Sequence, residues 1–228
     1  MEMINMVIDG ECVQVQDKHT IYEIVEENEE VQTQDIVEST IKLKIDGMSV
    51  MGKKGENILQ AARNAGIHIP TLCYHEELEP YGACRLCMVE VEKNNRKKLV
   101  AVCCFQVEDG IEVNTRTDDV LKIRKVLTEF LMAVSPSGEH MKLAKEFGIK
   151  ESRFKLEKNP ESPCTLCGLC VRYCNEVTKR HAVTFVGRGI ERKIAMVPKV
   201  SDNCSSCKKC FDFCDAGKMV YLVDNILG

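Results

Sequence analysis

Long apolar runs are missing from this 228-residue chain, and no stretch approaches the ~18 apolar residues of a membrane span. Met1-Glu2-Met3 opens it without a basic n-region, so no secretion leader is expected and the expected compartment is the cytoplasm. Charge of one sign is missing too. Lys plus Arg number 31 against 35 Asp plus Glu, a formal charge of −4. That leaves no basic footprint for nucleic acid and no acidic block of the disordered kind. There is no G-x-G-x-x-G after a strand, no G-x4-G-K-S/T, no H-E-x-x-H and no G-x-S-x-G. A nicotinamide, a flavin or a nucleotide phosphate has no readable site here, and no catalytic residue is expected.

Cysteine is what the chain has in excess, 14 of 228 residues. Without a leader, a disulfide scaffold is the weaker account of so many thiols and metal binding the stronger. Cys73, Cys84, Cys87 and the adjacent Cys103-Cys104 form one group, and Cys12 stands alone. After a cysteine-free interval from 105 to 163 come Cys164, Cys167, Cys170 and Cys174, then Cys204, Cys207, Cys210 and Cys214. The last two groups share the spacing C-x2-C-x2-C-x3-C, repeated 40 residues on.

Three cysteines two residues apart wrap a short loop around one face of a cubane and leave a corner for a distant thiolate. In two-cluster ferredoxins the fourth cysteine of each run serves the other cluster. On that pattern Cys164, Cys167, Cys170 and Cys214 hold one [4Fe–4S], and Cys204, Cys207, Cys210 and Cys174 the other, side by side. Zinc is the competing reading, but structural zinc draws on two well-separated C-x2-C knuckles. Four cysteines within eleven residues, twice, fit that poorly. The proline that usually ends such a run is replaced by Asn175 and Asp215.

Residues 41–66 read as strand, turn, strand, helix. Ile41–Ile45 alternates with period two, Asp46-Gly47 is a hairpin turn pair, and Met48–Met51 returns. Glu56–Ala65 sets Ile58, Ala61, Ala62 and Ala65 on one helical face, with Gly66 at C′. Met88–Glu92 and Lys97–Val102 are strand-like about Asn94-Asn95, and Gly110–Thr115 offers a last strand. This ββαβββ order is compatible with a β-grasp sheet. Cys73, Cys84 and Cys87, with Cys103 or Cys104, supply the four thiolates of a [2Fe–2S] rhomb, though the plant-type C-x4-C-x2-C spacing is not met. A zinc knuckle stays open on spacing alone. Gly82 and Ala83 are small enough for their amides to approach sulfur.

Ile45-Asp46-Gly47, Ile58-Leu59-Gln60-Ala61-Ala62, Ile69-Pro70-Thr71-Leu72-Cys73-Tyr74-His75 and Gly82-Ala83-Cys84-Arg85-Leu86-Cys87-Met88-Val89-Glu90-Val91 together resemble one ferredoxin-like module. It opens the large iron–sulfur subunit of respiratory complex I, the iron-only hydrogenases and NAD-linked formate dehydrogenases. The likeness continues through Val107-Glu108-Asp109-Gly110, Cys164–Glu176 and Phe185-Val186-Gly187-Arg188-Gly189. The resemblance implies that Cys103 is the fourth [2Fe–2S] ligand, with Cys104 its neighbour. It implies an electron-transfer subunit with one [2Fe–2S] and two [4Fe–4S] clusters. Its implied partners are an NAD(P)H-oxidising FMN flavoprotein and a further redox subunit or ferredoxin, in a hetero-oligomer that sometimes bifurcates electrons. A stand-alone polyferredoxin and an iron–sulfur sensor or cluster carrier are the alternatives.

Those families usually bind a further cluster through one His and three Cys. Residues 105–163 hold no cysteine and one histidine, His140, so that cluster cannot be built and His140 is expected at the surface. Asp118–Val134 instead reads as an amphipathic helix with Val120, Ile123, Leu127, Phe130, Leu131 and Val134 along one side. Ser135-Pro136-Ser137-Gly138 breaks it, and a shorter helix runs up to Phe147-Gly148. In residues 1–40, Asp9-Gly10, Val13 and Ile21 fall 37 positions before Asp46-Gly47, Val50 and Ile58, as in a degenerate copy of the opening, the alternative being a locally folded hairpin with an acidic linker over Glu26–Glu38. Cys12 has no partner there. Lys53-Lys54, Arg96-Lys97-Lys98 and Lys208-Lys209 are solvated faces or a surface for an acidic redox partner. The expected α+β architecture is an extension (1–40), a β-grasp [2Fe–2S] ferredoxin domain (41–117), a helical linker (118–160) and a two-[4Fe–4S] ferredoxin-like domain (161–228).

Overall fold

Two antiparallel hairpins open the computed structural model, which describes residues 4–8, 11–15, 40–135, 138–154, 164–214 and 218–226. β1 (Ile4–Ile8) and β2 (Glu11–Val15) pair with Val7 opposite Cys12. β3 (Thr40–Ile45) and β4 (Met48–Lys53) pair with Lys44 opposite Ser49, so an offset of 37 carries the first register onto the second. The turn Asp9-Gly10 and the helical part of the copy lie outside the described residues. In the second turn Asp46 and Gly47 have φ of 49° and 82°, both in the left-handed region, as a type I′ hairpin requires. Period-two alternation then sends Leu43, Ile45 and Val50 into the core.

α1 (Ile58–Asn64) begins two residues later than the sequence expectation because Asn57 caps it. The Gln60 amide donates to Asn57 Oδ1 at 2.9 Å, and the Asn57 amide donates back to Gln60 Oε1 at 3.2 Å. Ile58, Leu59, Ala61 and Ala62 are buried, and Gly66 follows the helix at φ +73°. A β-carbon on Gly52 would stand 2.8 Å from Val107 Cγ1 and 3.4 Å from Ala61 Cβ, so this strand residue must stay small for α1 to close on the sheet. β5 (Met88–Lys93), β6 (Arg96–Ala101) and β7 (Glu112–Asn114) complete a five-stranded sheet in the order β4-β3-β7-β5-β6. β3 and β7 run parallel, with α1 in the connection between them. This mixed sheet wrapped on one helix is consistent with the β-grasp expectation. Asp46 accepts from the Thr115 amide at 2.7 Å and the Thr115 hydroxyl at 2.6 Å, pinning the end of the parallel pair. Full burial of Val89, Val91 and Val113 contributes roughly 1.5–3 kcal/mol each before conformational entropy is counted.

α2 spans Asp118–Val134, the range read from the sequence, and α3 spans Gly138–Glu146. The buried row of α2 differs from the expected one. Val120, Arg124, Thr128 and Met132, spaced by four, are buried, whereas Phe130 is 43% exposed and stacks on Phe154 at 3.9 Å between ring centroids. Periodicity locates an apolar stripe but not the side on which neighbours arrive. His140 also departs from expectation: it is 1% exposed, not at the surface, and its Nδ1 lies 2.6 Å from the Ser135 carbonyl oxygen. A carbonyl left over at the end of α2 is buried here and needs a partner. Glu129, also buried, takes a two-pronged ion pair from Arg153 at 2.6–3.0 Å.

α4 (Leu169–Glu176), β8 (Val183–Val186), β9 (Lys193–Met196), the single turn α5 (Cys204–Cys207) and α6 (Lys218–Ile226) follow. Val171, Ala182, Val183, Ile194, Met219 and Leu222 form their core together with Cys170 and Cys174. At Gly187, φ +76°, a β-carbon would lie 2.3 Å from the Glu191 carbonyl oxygen, so only glycine closes the turn out of β8. The chain divides into two compact units: residues 1–70 with 86–120, and 71–85 with 121–228. Among the described residues, no helix is long and apolar enough to cross a membrane.

Candidate functional site

The first cysteine group is divided between the two units. In the second unit, Gly82 at φ +64° and Arg85 at φ +60° curl the loop so that the Cys84 amide donates to Cys73 Sγ at 3.4 Å. A hydrogen bond from the Cys84 side chain lowers the Cys73 thiol to about 6 against the opposing effect of burial, helped by the amides of Cys84 and Ala83. In the first unit, Cys87 and Cys103 share a hydrogen bond at 3.3 Å between sulfurs. That bond, followed by burial, pushes the Cys103 thiol up. Two thiolates on one tetrahedral metal, at about 2.3 Å each, stand roughly 3.8 Å apart, close to this spacing. Cys104 is exposed, with its sulfur 3.6 Å from Cys103.

The two later runs lie wholly in the second unit. One cavity is lined by Cys164, Cys167, Cys170 and Cys214, with Leu72, Ile194, Phe213 and Lys218 on its walls. Another is lined by Cys174, Cys204, Cys207 and Cys210, with Tyr173, Arg180, Ala182, Lys208 and Lys209. Each run thus sends its fourth cysteine to the cavity of the other. Helix geometry explains half of this exchange, because Cys170 and Cys174 stand one turn apart on α4 and lie beside different cavities. The position after the second cysteine is left-handed in both runs, Gly168 at φ +80° and Lys208 at φ +49°.

Backbone amides point at sulfur in these cavities as well. Leu166 N–H donates to Cys164 Sγ at 3.4 Å and Ala182 N–H to Cys174 Sγ at 3.2 Å. Burial pushes up the thiols of Cys164, Cys167, Cys170 and Cys204, and takes Cys210 to about 12. Such thiols give up protons to a metal rather than to water. Among the described residues, no three His, Cys, Asp or Glu side chains meet closely enough to hold a single ion. The thiols surround space instead of a point. All-sulfur donors, an apolar shell and amides aimed at sulfur are the surroundings that an iron–sulfur cluster requires.

Contacts that the sequence reading did not anticipate hold these loops. The guanidinium of Arg172 donates to the Glu79 carbonyl and, at 2.9 Å, to Glu176, while Glu176 accepts from the Glu79 amide at 3.2 Å. The Cys73–Cys84 loop is thereby clasped to the helix that carries Cys170 and Cys174. His75, Tyr173 and Phe213, neighbours of three different cysteines, form an aromatic cluster with centroids 4.5–5.8 Å apart. A further cavity brings Cys84 and Cys167 together with Leu127, Phe130, Leu131 and Val134 of α2. Only the i,i+4 pair Arg172–Glu176 left a trace in the sequence.

Residues 38–118 match the family of 2Fe-2S iron-sulfur cluster binding domains. The NADH-ubiquinone oxidoreductase 75 kDa subunit of Reclinomonas americana is 34% identical over 202 residues, covering 78% of this chain and 29% of that protein. The NADPH-Fe(3+) oxidoreductase subunit alpha of Geobacter sulfurreducens is 31% identical over 204 residues, 79% of this chain and 24% of the other. The chain therefore spans less than a third of the length of these curated relatives. Among solved structures, a chain of an NAD+-reducing [NiFe]-hydrogenase in its H2-reduced state superposes with a TM-score of 0.60 at 28% identity, covering 70% of this chain and 76% of that one. Residues 38–118 thus match the 2Fe-2S iron-sulfur cluster binding domain family, and the chain is similar to part of subunits of NADH- and NADPH-linked oxidoreductases.

Proposed function

We propose that this chain relays electrons through one [2Fe–2S] and two [4Fe–4S] clusters within a cytoplasmic hetero-oligomeric oxidoreductase. The ligands are Cys73, Cys84, Cys87 and Cys103 for the first cluster, Cys164, Cys167, Cys170 and Cys214 for the second, and Cys204, Cys207, Cys210 and Cys174 for the third. The observation that carries this reading is the four-by-four division of eight thiols between two cavities, with Cys174 and Cys214 exchanged. The cavity shared by Cys84 and Cys167 supports the order [2Fe–2S], first [4Fe–4S], second [4Fe–4S]. At the ends stand an NAD(P)H-oxidising FMN flavoprotein and another redox subunit or a ferredoxin, because the named relatives are NADH- or NADPH-linked.

Bound clusters supply reversible one-electron chemistry; the protein's part is position and potential. The amides of Cys84, Leu166 and Ala182 stabilise negative charge on sulfur, which favours the reduced state. Phe213, Ile194 and Leu72 give the first-run cavity an apolar wall. Arg172 holds the Cys73–Cys84 loop against α4, which keeps the spacing constant as charge moves.

Anaerobic purification with iron and acid-labile sulfide analysis tests the reading. About ten iron atoms per chain are expected, with both [2Fe–2S] and [4Fe–4S] EPR signals on reduction. Four iron atoms or fewer, with bound zinc, would overturn it.

A further inference from the structure

We propose that the rim of the cavity lined by Cys174, Cys204, Cys207 and Cys210 is the docking surface for a small acidic one-electron carrier protein. This rests on the proposed [4Fe–4S] ligation of those four cysteines and names the partner's chemistry and its place.

Arg180, Lys208 and Lys209 line this cavity, are exposed, and have no carboxylate beside them among the residues that line it. The chain as a whole is acidic at −4, so a rim of three cations is a local reversal of sign. The first-run cavity has one cation, Lys218, on its walls. In the Arg96-Lys97-Lys98 tract, by contrast, Lys97 pairs with Glu90 at 3.0 Å and Glu92 at 3.6 Å, and nearby Lys93 pairs with Glu108 at 2.9 Å. Of the four cysteines of this cavity, Cys204, Cys207 and Cys210 are half-exposed and Cys174 is buried.

Lys208 adds an independent observation. Its φ of +49° is a conformation in which a side chain other than Gly, Asn or Asp is disfavoured, and the matching position of the first run is Gly168. Glycine at 208 would therefore remove the charge without adding backbone strain. Cations around an electron port steer a negatively charged partner and orient it before transfer. A cluster held by Cys174, Cys204, Cys207 and Cys210 would accept one electron from the reduced carrier, with no bond made or broken.

The test uses the purified, iron-loaded chain and a reduced, acidic [2Fe–2S] ferredoxin as donor, mixed anaerobically in a stopped-flow instrument. At low ionic strength R180E/K209E should lower the second-order rate about tenfold or more, and K208G should lower it severalfold. K208G relieves the backbone as it removes the charge, so misfolding does not explain its loss. Both deficits should shrink as ionic strength approaches 1 M, where screening acts over about 3 Å. Reduction by the methyl viologen radical cation should not slow in either variant. An unchanged ferredoxin rate, or a deficit equal at all salt concentrations and for both donors, overturns the docking surface. A wild-type chain without its ten iron atoms would instead remove the relay reading beneath it.

Discussion

Cys87 and Cys103 stand 3.3 Å apart, sulfur to sulfur and both buried, while Cys104, one residue on, is exposed. Adjacent cysteines look equivalent in a sequence, but successive side chains leave the backbone in different directions. The prediction is asymmetric. Cys103→Ser should abolish the [2Fe–2S] EPR signal and leave the [4Fe–4S] signals, whereas Cys104→Ser should keep all three clusters. The opposite pattern would reassign the ligand.

Arg172 is the clasp between the Cys73–Cys84 loop and α4. Arg172→Ala should speed chelator-induced loss of the [2Fe–2S] cluster roughly tenfold, the factor that 1.4 kcal/mol carries. The [4Fe–4S] absorbance should decay at its original rate. Arg172→Lys should recover part of the loss, because an ammonium cannot reach a carbonyl and a carboxylate with one planar fork. Equal rates in wild type and Arg172→Ala would show that the clasp does not restrain the loop.

Phe213 touches His75 and Tyr173 and lines the first-run cavity. Phe213→Ala should admit water to the sulfurs and raise the midpoint potential of the first [4Fe–4S] by on the order of tens of mV, with Phe213→Leu in between. Redox titration followed by EPR reads this directly, and unchanged potentials would remove Phe213 from the solvent barrier.

His140 separates a structural role from a ligating one. His140→Ala should leave iron content and every EPR signal intact. It should still destabilise the holo-protein by about 1–3 kcal/mol, since the buried Ser135 carbonyl loses its partner. Thermal unfolding and iron analysis on one preparation check both halves, and loss of a cluster would contradict the account of the 105–163 interval.

Local features were legible in residue order. The Asp46-Gly47 and Asn94-Asn95 turns, the extent of α2 and the Gly66 stop depend on φ preferences and on period-two or period-3.6 patterns, all contained within a few residues. The cysteine spacing of the two later runs was legible for the same reason, because a loop that wraps a cluster has a length of its own. What eluded the sequence is non-local. The buried row of α2 depends on where other elements arrive, and it selected Arg124 and Thr128 over Phe130. His140 is buried and faces the Ser135 carbonyl across the break between α2 and α3, and that burial depends on packing that no sequence pattern announces.

Residue order alone therefore pointed to a chemistry, since thiols at those intervals are the donor pattern of iron–sulfur clusters. Tertiary structure decided the surroundings of those thiols, whose exchange the repeated spacing had already led one to expect. Cys174 and Cys214 each line the cavity of the other run, and the loop of Cys73 and Cys84 is held against α4. Three aromatic rings from distant segments close on one another beside them. Each of these is a juxtaposition of residues tens of positions apart, produced when apolar surfaces and paired polar groups come together in one compact unit, and no local preference encodes it.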